Sequence, residues 1–169
     1  MPALRFLRHM ASIPWHTRLL FGRDTQEALE QAVARARRTH RGQIRVAIEG
    51  ALNPRQLWQG MSARARALQV FAALQVWDTE QNNGVLVYIL LADRAVEIIA
   101  DRGLRERVRT AEWSAVVELI TDHFRERRFR DGGIAGIEAV SVLLARHFPR
   151  GSAVEGPAGN ADADRPTLL

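Results

Sequence analysis

Gly84-Val85-Leu86-Val87-Tyr88-Ile89-Leu90-Leu91-Ala92-Asp93-Arg94-Ala95-Val96-Glu97-Ile98-Ile99-Ala100-Asp101 holds two apolar runs on either side of a short polar break. Val85–Leu91 is almost unbroken, and Asn82-Asn83-Gly84 precedes it as a turn signal. That length and flank predict a strand covered on both faces. Ala92-Asp93-Arg94 predicts a tight turn. Ala95–Ala100 is then a second strand, interrupted only by Glu97. A connection this short makes the pair antiparallel. With Ala92–Arg94 as the turn, the register sets Asp101 across from Val85.

Upstream of the hairpin, Gln43–Glu49 alternates, with Ile44, Val46 and Ile48 on one side and Gln43, Arg45 and Glu49 on the other. This is strand periodicity. Arg45 and Glu49 must be paired or lie near the edge if helices cover their face, and an internal salt bridge is the expected solution. Glu97 poses the same problem, solved by an arginine or by facing a shallow pocket. Asp24 and Glu27 predict the start of a helix whose inner face is Leu29, Ala32, Val33 and Ala36, ending near His40 with Gly42 beyond. Asn53-Pro54 predicts a second start, with Leu57, Met61, Leu68 and Ala72 continuing one inner face.

Downstream, Trp113, Val116, Val117, Ile120 and Phe124 share one helical face. A last helix starts near Asp131-Gly132-Gly133, uses Ile134, Ile137, Val140 and Leu144, and stops before Pro149. The order is helix, strand, helix, strand, strand, helix, helix. A helical crossover makes Gln43–Glu49 and Val85–Leu91 parallel neighbours. The fold class is therefore α/β, a small mixed sheet between two helical layers. Residues 1–23 read as a basic appendage with Trp15, Leu19, Leu20 and Phe21 available to dock. Residues 24–149 form the domain. Residues 150–169 are rich in Gly, Ala, Asp and Pro and are expected to be a disordered tail, with Pro166–Leu169 fraying rather than docking.

The chain has 169 residues, 47% apolar and 25% charged, which suits one domain with a real core. It has no cysteine, which excludes disulfides and thiolate chemistry. All 24 basic residues are arginine, so a Schiff-base or P-loop lysine is excluded as well. The net charge of +5 favours an anionic partner. Acidic residues interleave with the arginines, so a nucleic-acid surface is not expected. The segment Met1–Pro14 carries Arg5, Arg8 and His9 among its apolar residues and lacks the unbroken core of a secretory signal. The expected location is the cytoplasm, with peripheral membrane contact allowed.

His40-Arg41-Gly42-Gln43-Ile44-Arg45-Val46 resembles the first-strand motif "H-x-G-E-I-R-V" of the TPM domain family, with glutamine in place of the frequent glutamate. Trp77-Asp78-Thr79 and Asn82-Asn83-Gly84-Val85-Leu86-Val87-Tyr88 resemble its second. Asp93–Ile98, Asp101-Arg102-Gly103, Phe129-Arg130-Asp131-Gly132 and His147-Phe148-Pro149 continue the pattern. The resemblance covers roughly residues 24–149. It implies a small sheet sandwiched by helices, a TPM-like three-layer fold. It also implies an association with divalent cations, and some plant members are reported as acid phosphatases. Many bacterial members carry a signal peptide and a membrane anchor. This chain has neither pattern and looks like the short soluble bacterial branch.

The hairpin register brings Asn82, Asn83 and Asp101 to one edge of the sheet, with Asp78 on the incoming loop. Two carboxylates with amide or backbone oxygens suit Ca²⁺ or Mg²⁺. Asp131 would supply a third carboxylate if the loops converge. Asp78, Asn83, Asp101 and Asp131 are thus the candidate metal ligands. The competing expectation is structural: an Asx turn at Asp78, a tight turn at Asn83-Gly84, and caps at Asp101 and Asp131. No organic cofactor is expected.

A phosphatase needs an activated nucleophile, a phosphate clamp and leaving-group protonation. His9, His16, His40, His123 and His147 show no metal-binding spacing, and no catalytic constellation emerges. His40 and His147 lie near helix ends, where a dipole contact is expected. In Phe124-Arg125-Glu126-Arg127-Arg128-Phe129-Arg130 the two phenylalanines are expected to anchor a loop and the arginines to be solvated. Anionic lipid is the alternative partner for that patch. The expectation is a non-enzymatic accessory domain for a protein or membrane-associated partner, with a cation ordering the loops around Asp78 and Asp101. The alternative is a cation-dependent phosphatase acting on phosphomonoesters.

Overall fold

The computed structural model describes residues 3–11, 20–150 and 164–169. Its elements are α1 (Ala3–Ala11), α2 (Arg23–Ala36), β1 (Gln43–Glu49), α3 (Pro54–Trp58), α4 (Ala63–Ala73), β2 (Gly84–Leu90), β3 (Ala95–Ala100), α5 (Arg102–Arg105), α6 (Thr110–Arg125), α7 (Phe129–His147) and β4 (Thr167–Leu168). The sheet order is β3-β2-β1-β4. β1 runs parallel to β2, and β2 antiparallel to β3, so the sheet is mixed.

Period-two alternation divides the core into two layers. Ile44, Val46 and Ile48 of β1 join Val85, Val87, Ile89, Val96 and Ile98 on one face. Leu29 and Val33 of α2, Val116 and Ile120 of α6, and Ile137, Val140 and Leu144 of α7 cover that face. Ala47, Leu86, Tyr88, Leu90 and Ile99 form the other face, against Leu57 of α3 and Ala67 and Val70 of α4. All of β2 is buried, as its unbroken apolar run demands.

The hairpin register differs from expectation by one residue. Leu90 pairs with Ala95, so the connection is the four residues Leu91–Arg94 rather than three. Arg94 takes φ +51° to close it. Val85 consequently faces Ala100, and the Asp101 amide donates to the Gly84 carbonyl at 2.9 Å.

Other boundaries move for identifiable reasons. Gly22, not Asp24, caps α2, and no side chain caps that end. The helix stops at Ala36, short of His40. The helix expected to continue from Asn53 breaks after Trp58, where Gly60 adopts φ +70° and Ser62 caps a new helix through its hydroxyl. The break re-phases the second segment, so Ala67 and Val70 face inward while Leu68 is half exposed.

Both termini belong to the domain more than expected. Phe21 is fully buried and meets Phe124 and Phe129 edge-on, with centroids 6.1 and 5.9 Å away. The domain thus begins before Asp24. Trp15 and Leu19 lie outside the described residues. At the other end, Thr167 and Leu168 pair with Ala47 and Ile48 as a parallel strand. Asp164 binds Arg37 at 2.6 Å and Pro166 is buried. Residues 164–169 are therefore docked, not a frayed tail, because β1 would otherwise present an unpaired edge. Residues 151–163 lie outside the described set.

Candidate functional site

Loops meet at the end of the sheet where β2 begins. The turn Gln75–Asn83 enters β2, and α5 leaves β3 there. Asp101 accepts a hydrogen bond from the Arg102 amide at 2.7 Å, so Oδ1 caps α5. Its other oxygen, Oδ2, is buried and has no hydrogen-bond partner among the described residues. A buried carboxylate oxygen left without a donor or a cation is costly. The carbonyls of Gln81 and Asn82 crowd Gly103, two residues on: a Cβ there would lie 2.5 and 2.6 Å from them.

Asn83 is buried, and its amide donates to the Thr79 hydroxyl at 3.0 Å. Asn82, at φ +51°, turns its side-chain oxygen to Arg102 Nε at 2.9 Å, so that oxygen is already engaged. Asp78 is exposed, and its amide donates to the Gln75 carbonyl. The structural expectation is met for Asp101, which is a cap, whereas the turn expected at Asn83-Gly84 has its positive φ one residue earlier, at Asn82.

Asp131 does not join this group. A Cβ on Gly42 would lie 2.6 Å from Leu144 and 3.0 Å from the Asn83 carbonyl, so the C-terminal end of α7 is the end near Asn83. Thirteen residues of helix separate Leu144 from Asp131, roughly 20 Å. Asp131 instead lies with Leu20, Arg127 and Phe129 at the hairpin-tip end. Among the described residues no three His, Cys, Asp or Glu side chains converge as a metal cluster. A cation at Asp101 would therefore take most of its ligands from carbonyls, amides and water.

Three polar arrangements stand out, of which the one at Glu97 was expected and the other two were not. Glu49 pairs with Arg66 of α4 at 2.8 Å and accepts the Tyr88 hydroxyl at 2.6 Å. The expected Arg45–Glu49 bridge is thus replaced, because α4 brings Arg66 over the Glu49 face. Burial pushes the Tyr88 hydroxyl up, and the Glu49 carboxylate adds to that. Glu97 pairs with Arg64 at 3.3 Å and also borders a cleft with Leu68 and Trp113. The third arrangement joins α1 to the hairpin. Arg5 and His9 both bind Asp93, at 2.6 and 3.0 Å, and His9 Nδ1 accepts the Leu52 amide at 2.9 Å. The signal was present: no Asp or Glu precedes Asp24 or falls between Gly50 and Trp77, so basic residues there must find Glu49, Asp93 or Glu97.

His40 is buried, and burial pulls its imidazole down to about 4, with Arg150 and Arg37 adding to the effect against a raising backbone contact at Gly42. It forms a single bridge with Pro149 rather than serving as an exposed helix-end contact. Phe124 and Phe129 pack with their rings tilted and centroids 5.1 Å apart and anchor the α6–α7 turn, while Arg125 and Arg128 are largely solvated.

A mixed sheet between two helical layers, with converging loops where β2 starts, defines a three-layer α/β class. The chain belongs to the TPM domain family, whose model matches residues 18–143. The match begins ahead of Asp24, in keeping with the buried Phe21. The fold is similar to the solution structure of the BA42 protein from the psychrophilic bacterium Bizionia argentinensis. The two chains are 26% identical, with 86% of this chain and 93% of that one covered and a TM-score of 0.72. It also resembles the N-terminal domain of a P. gingivalis protein at 19% identity, covering 78% and 83% of the two chains, with a TM-score of 0.62. No curated protein matches the chain significantly. Among the described residues no helix is long and apolar enough to cross a membrane.

Proposed function

We propose that this chain is a non-enzymatic, cytoplasmic TPM domain that works by recognition, with a divalent cation ordering the loops between Asp78 and Gly103. The observation that supports this reading is Asp101 Oδ2, a buried carboxylate oxygen without a donor among the described residues. The carbonyls of Gln81 and Asn82 crowd Gly103, two residues beyond Asp101, and supply the kind of oxygen that a hard cation takes together with water; the Asn82 carbonyl already accepts the Gly103 amide at 2.9 Å, and Asp78 and Asn83 stand on the same loop. The order in the loops then depends on the cation, and the partner reads the ordered form.

Calorimetric titration of Ca²⁺ and Mg²⁺ into chelator-treated protein tests it. Asp101→Asn is the informative variant, because asparagine retains the α5 cap while removing the charge. The expected result is saturable heat in the parent chain that disappears in Asp101→Asn at unchanged melting temperature. Absence of binding at millimolar cation, or equal binding by the variant, overturns the reading.

A further inference from the structure

α1 is amphipathic, but it sits on the domain the wrong way round for a core helix. Arg5, Phe6 and His9 share one side and turn inward, where Asp93 takes Arg5 and His9. The opposite side carries Leu4, Leu7 and Ala11, flanked by Met10 and Arg8, and it faces solvent. Leu4 is 71% exposed, Leu7 62% and Met10 49%. A docked helix ordinarily buries its apolar stripe and solvates its charges. Here specific ion pairs fix the helix so that the apolar stripe is presented outward.

The neighbouring α3, which packs on α1, adds Trp58, at 83% the most exposed large apolar side chain among the described residues. The surroundings are basic. No acidic residue occurs in α1, α3 or α4, and Arg8 and Arg55 are exposed on them, Arg8 with its outer nitrogen 3.5 Å from Asp93. The acids that reach these elements, Asp93, Glu49 and Glu97, are each held by arginine. Arg94, next to Asp93 on the hairpin tip, is exposed as well.

We propose that the α1–α3 face docks on an anionic lipid surface, with Leu4, Leu7 and Trp58 entering the headgroup boundary and the surrounding arginines meeting lipid phosphates. An apolar stripe on a helix bordered by cations, with an adjacent tryptophan, is the chemistry of an interfacial helix. The basic surround supplies the charge complementarity that selects an anionic bilayer. The Arg5–Asp93 and His9–Asp93 contacts set the helix parallel to that surface without consuming its apolar side. The surface lies apart from Asp101 and does not depend on a cation there.

The test uses the full chain with vesicles of equimolar phosphatidylglycerol and phosphatidylcholine, against vesicles of phosphatidylcholine alone. Co-sedimentation with the anionic vesicles only, weakened by added salt, is expected. Leu4→Ser together with Leu7→Ser should reduce partitioning at least about ten-fold, since two leucine side chains no longer leave water. The Arg5, His9 and Asp93 contacts remain in that variant, and its melting temperature should match the parent's. Trp58→Phe should remove the vesicle-induced blue shift of tryptophan emission. A chain that stays in the supernatant with anionic vesicles at low salt overturns the proposal, as does undiminished binding by the double variant. A dimer in sedimentation velocity that the same two substitutions dissociate would also overturn it, assigning the face to a second copy.

Discussion

Asp93, at the tip of the β2–β3 hairpin, holds Arg5 of α1 through both carboxylate oxygens: Nη2 lies 2.6 Å from Oδ2 and Nε 3.0 Å from Oδ1. Burial raises the Asp93 carboxyl, but the hydrogen bonds from Arg5 and His9, together with the Arg5 charge, outweigh it and hold it below its ordinary value. The chain's N-terminal helix is thereby clamped to its central hairpin. Asp93→Ala should release α1 at a cost of about 2 kcal/mol, the scale of lost hydrogen bonds to a charged group. Hydrogen exchange should show the Ala3–Ala11 amides losing protection while β2 retains it. Unchanged protection in α1 would show that Phe6 and the Leu52 contact suffice.

His40 makes stability depend on pH. Its folded value of about 4 lies below the ordinary 6.5. The unfolded chain therefore takes up the proton first, and the contribution is complete above pH 6.5. It is lost as pH falls from 6.5 towards 4, up to about 3 kcal/mol. Urea unfolding across that window should show the decline, and His40→Gln should flatten it. An equal slope in the variant would assign the decline to other groups.

Tyr88 and Glu49 form a buried pair on the α4 side of the sheet. Tyr88→Phe removes one hydrogen bond to a charged acceptor and should cost about 2 kcal/mol. Glu49→Ala strands both the Tyr88 hydroxyl and the Arg66 guanidinium, and should cost about 4 kcal/mol. Denaturation midpoints of the two single variants and the double variant should show strong non-additivity. Simple addition of the two effects would mean the pair is not coupled.

Gly84 has no room for a side chain, since a Cβ there would fall 1.8 Å from the Val76 carbonyl. Gly84→Ala must displace the Gln75–Asn83 loop or β2 itself, at about 3 kcal/mol. Gly60→Ala meets no atom within 4 Å but sits at φ +70°, so strain alone should cost about 1 kcal/mol. Thermal melts of the two variants should preserve that order.

The sheet was legible because its strands declare themselves locally. Gln43–Glu49 alternates, and Val85–Leu91 is apolar on both faces, so both strands follow from period and burial. The hairpin register was not legible to the residue. It hangs on Arg94 adopting φ +51°, and an arginine carries no signal for that conformation. β4 was hidden because two residues of strand have no period, and their pairing depends on the open edge of β1. Asp101 and Asn83 lie at the same end of the sheet, as expected, because the hairpin returns to its starting end. Asp131 was misplaced because sequence spacing does not say which end of α7 lies beside β2. Leu4 and Leu7 read as part of an amphipathic segment, but only the Asp93 contacts show which side faces out.

Whether a divalent cation orders the Asp101 end of the sheet, as proposed, is read residue by residue from amide chemical shifts during a calcium titration. Saturable shifts at residues 81–84 and 101–103 are expected, absent in Asp101→Asn, with Asp131 and its neighbours unmoved. Shifts confined to Asp122, Asp131 or other surface carboxylates, or no shifts at all, would contradict it.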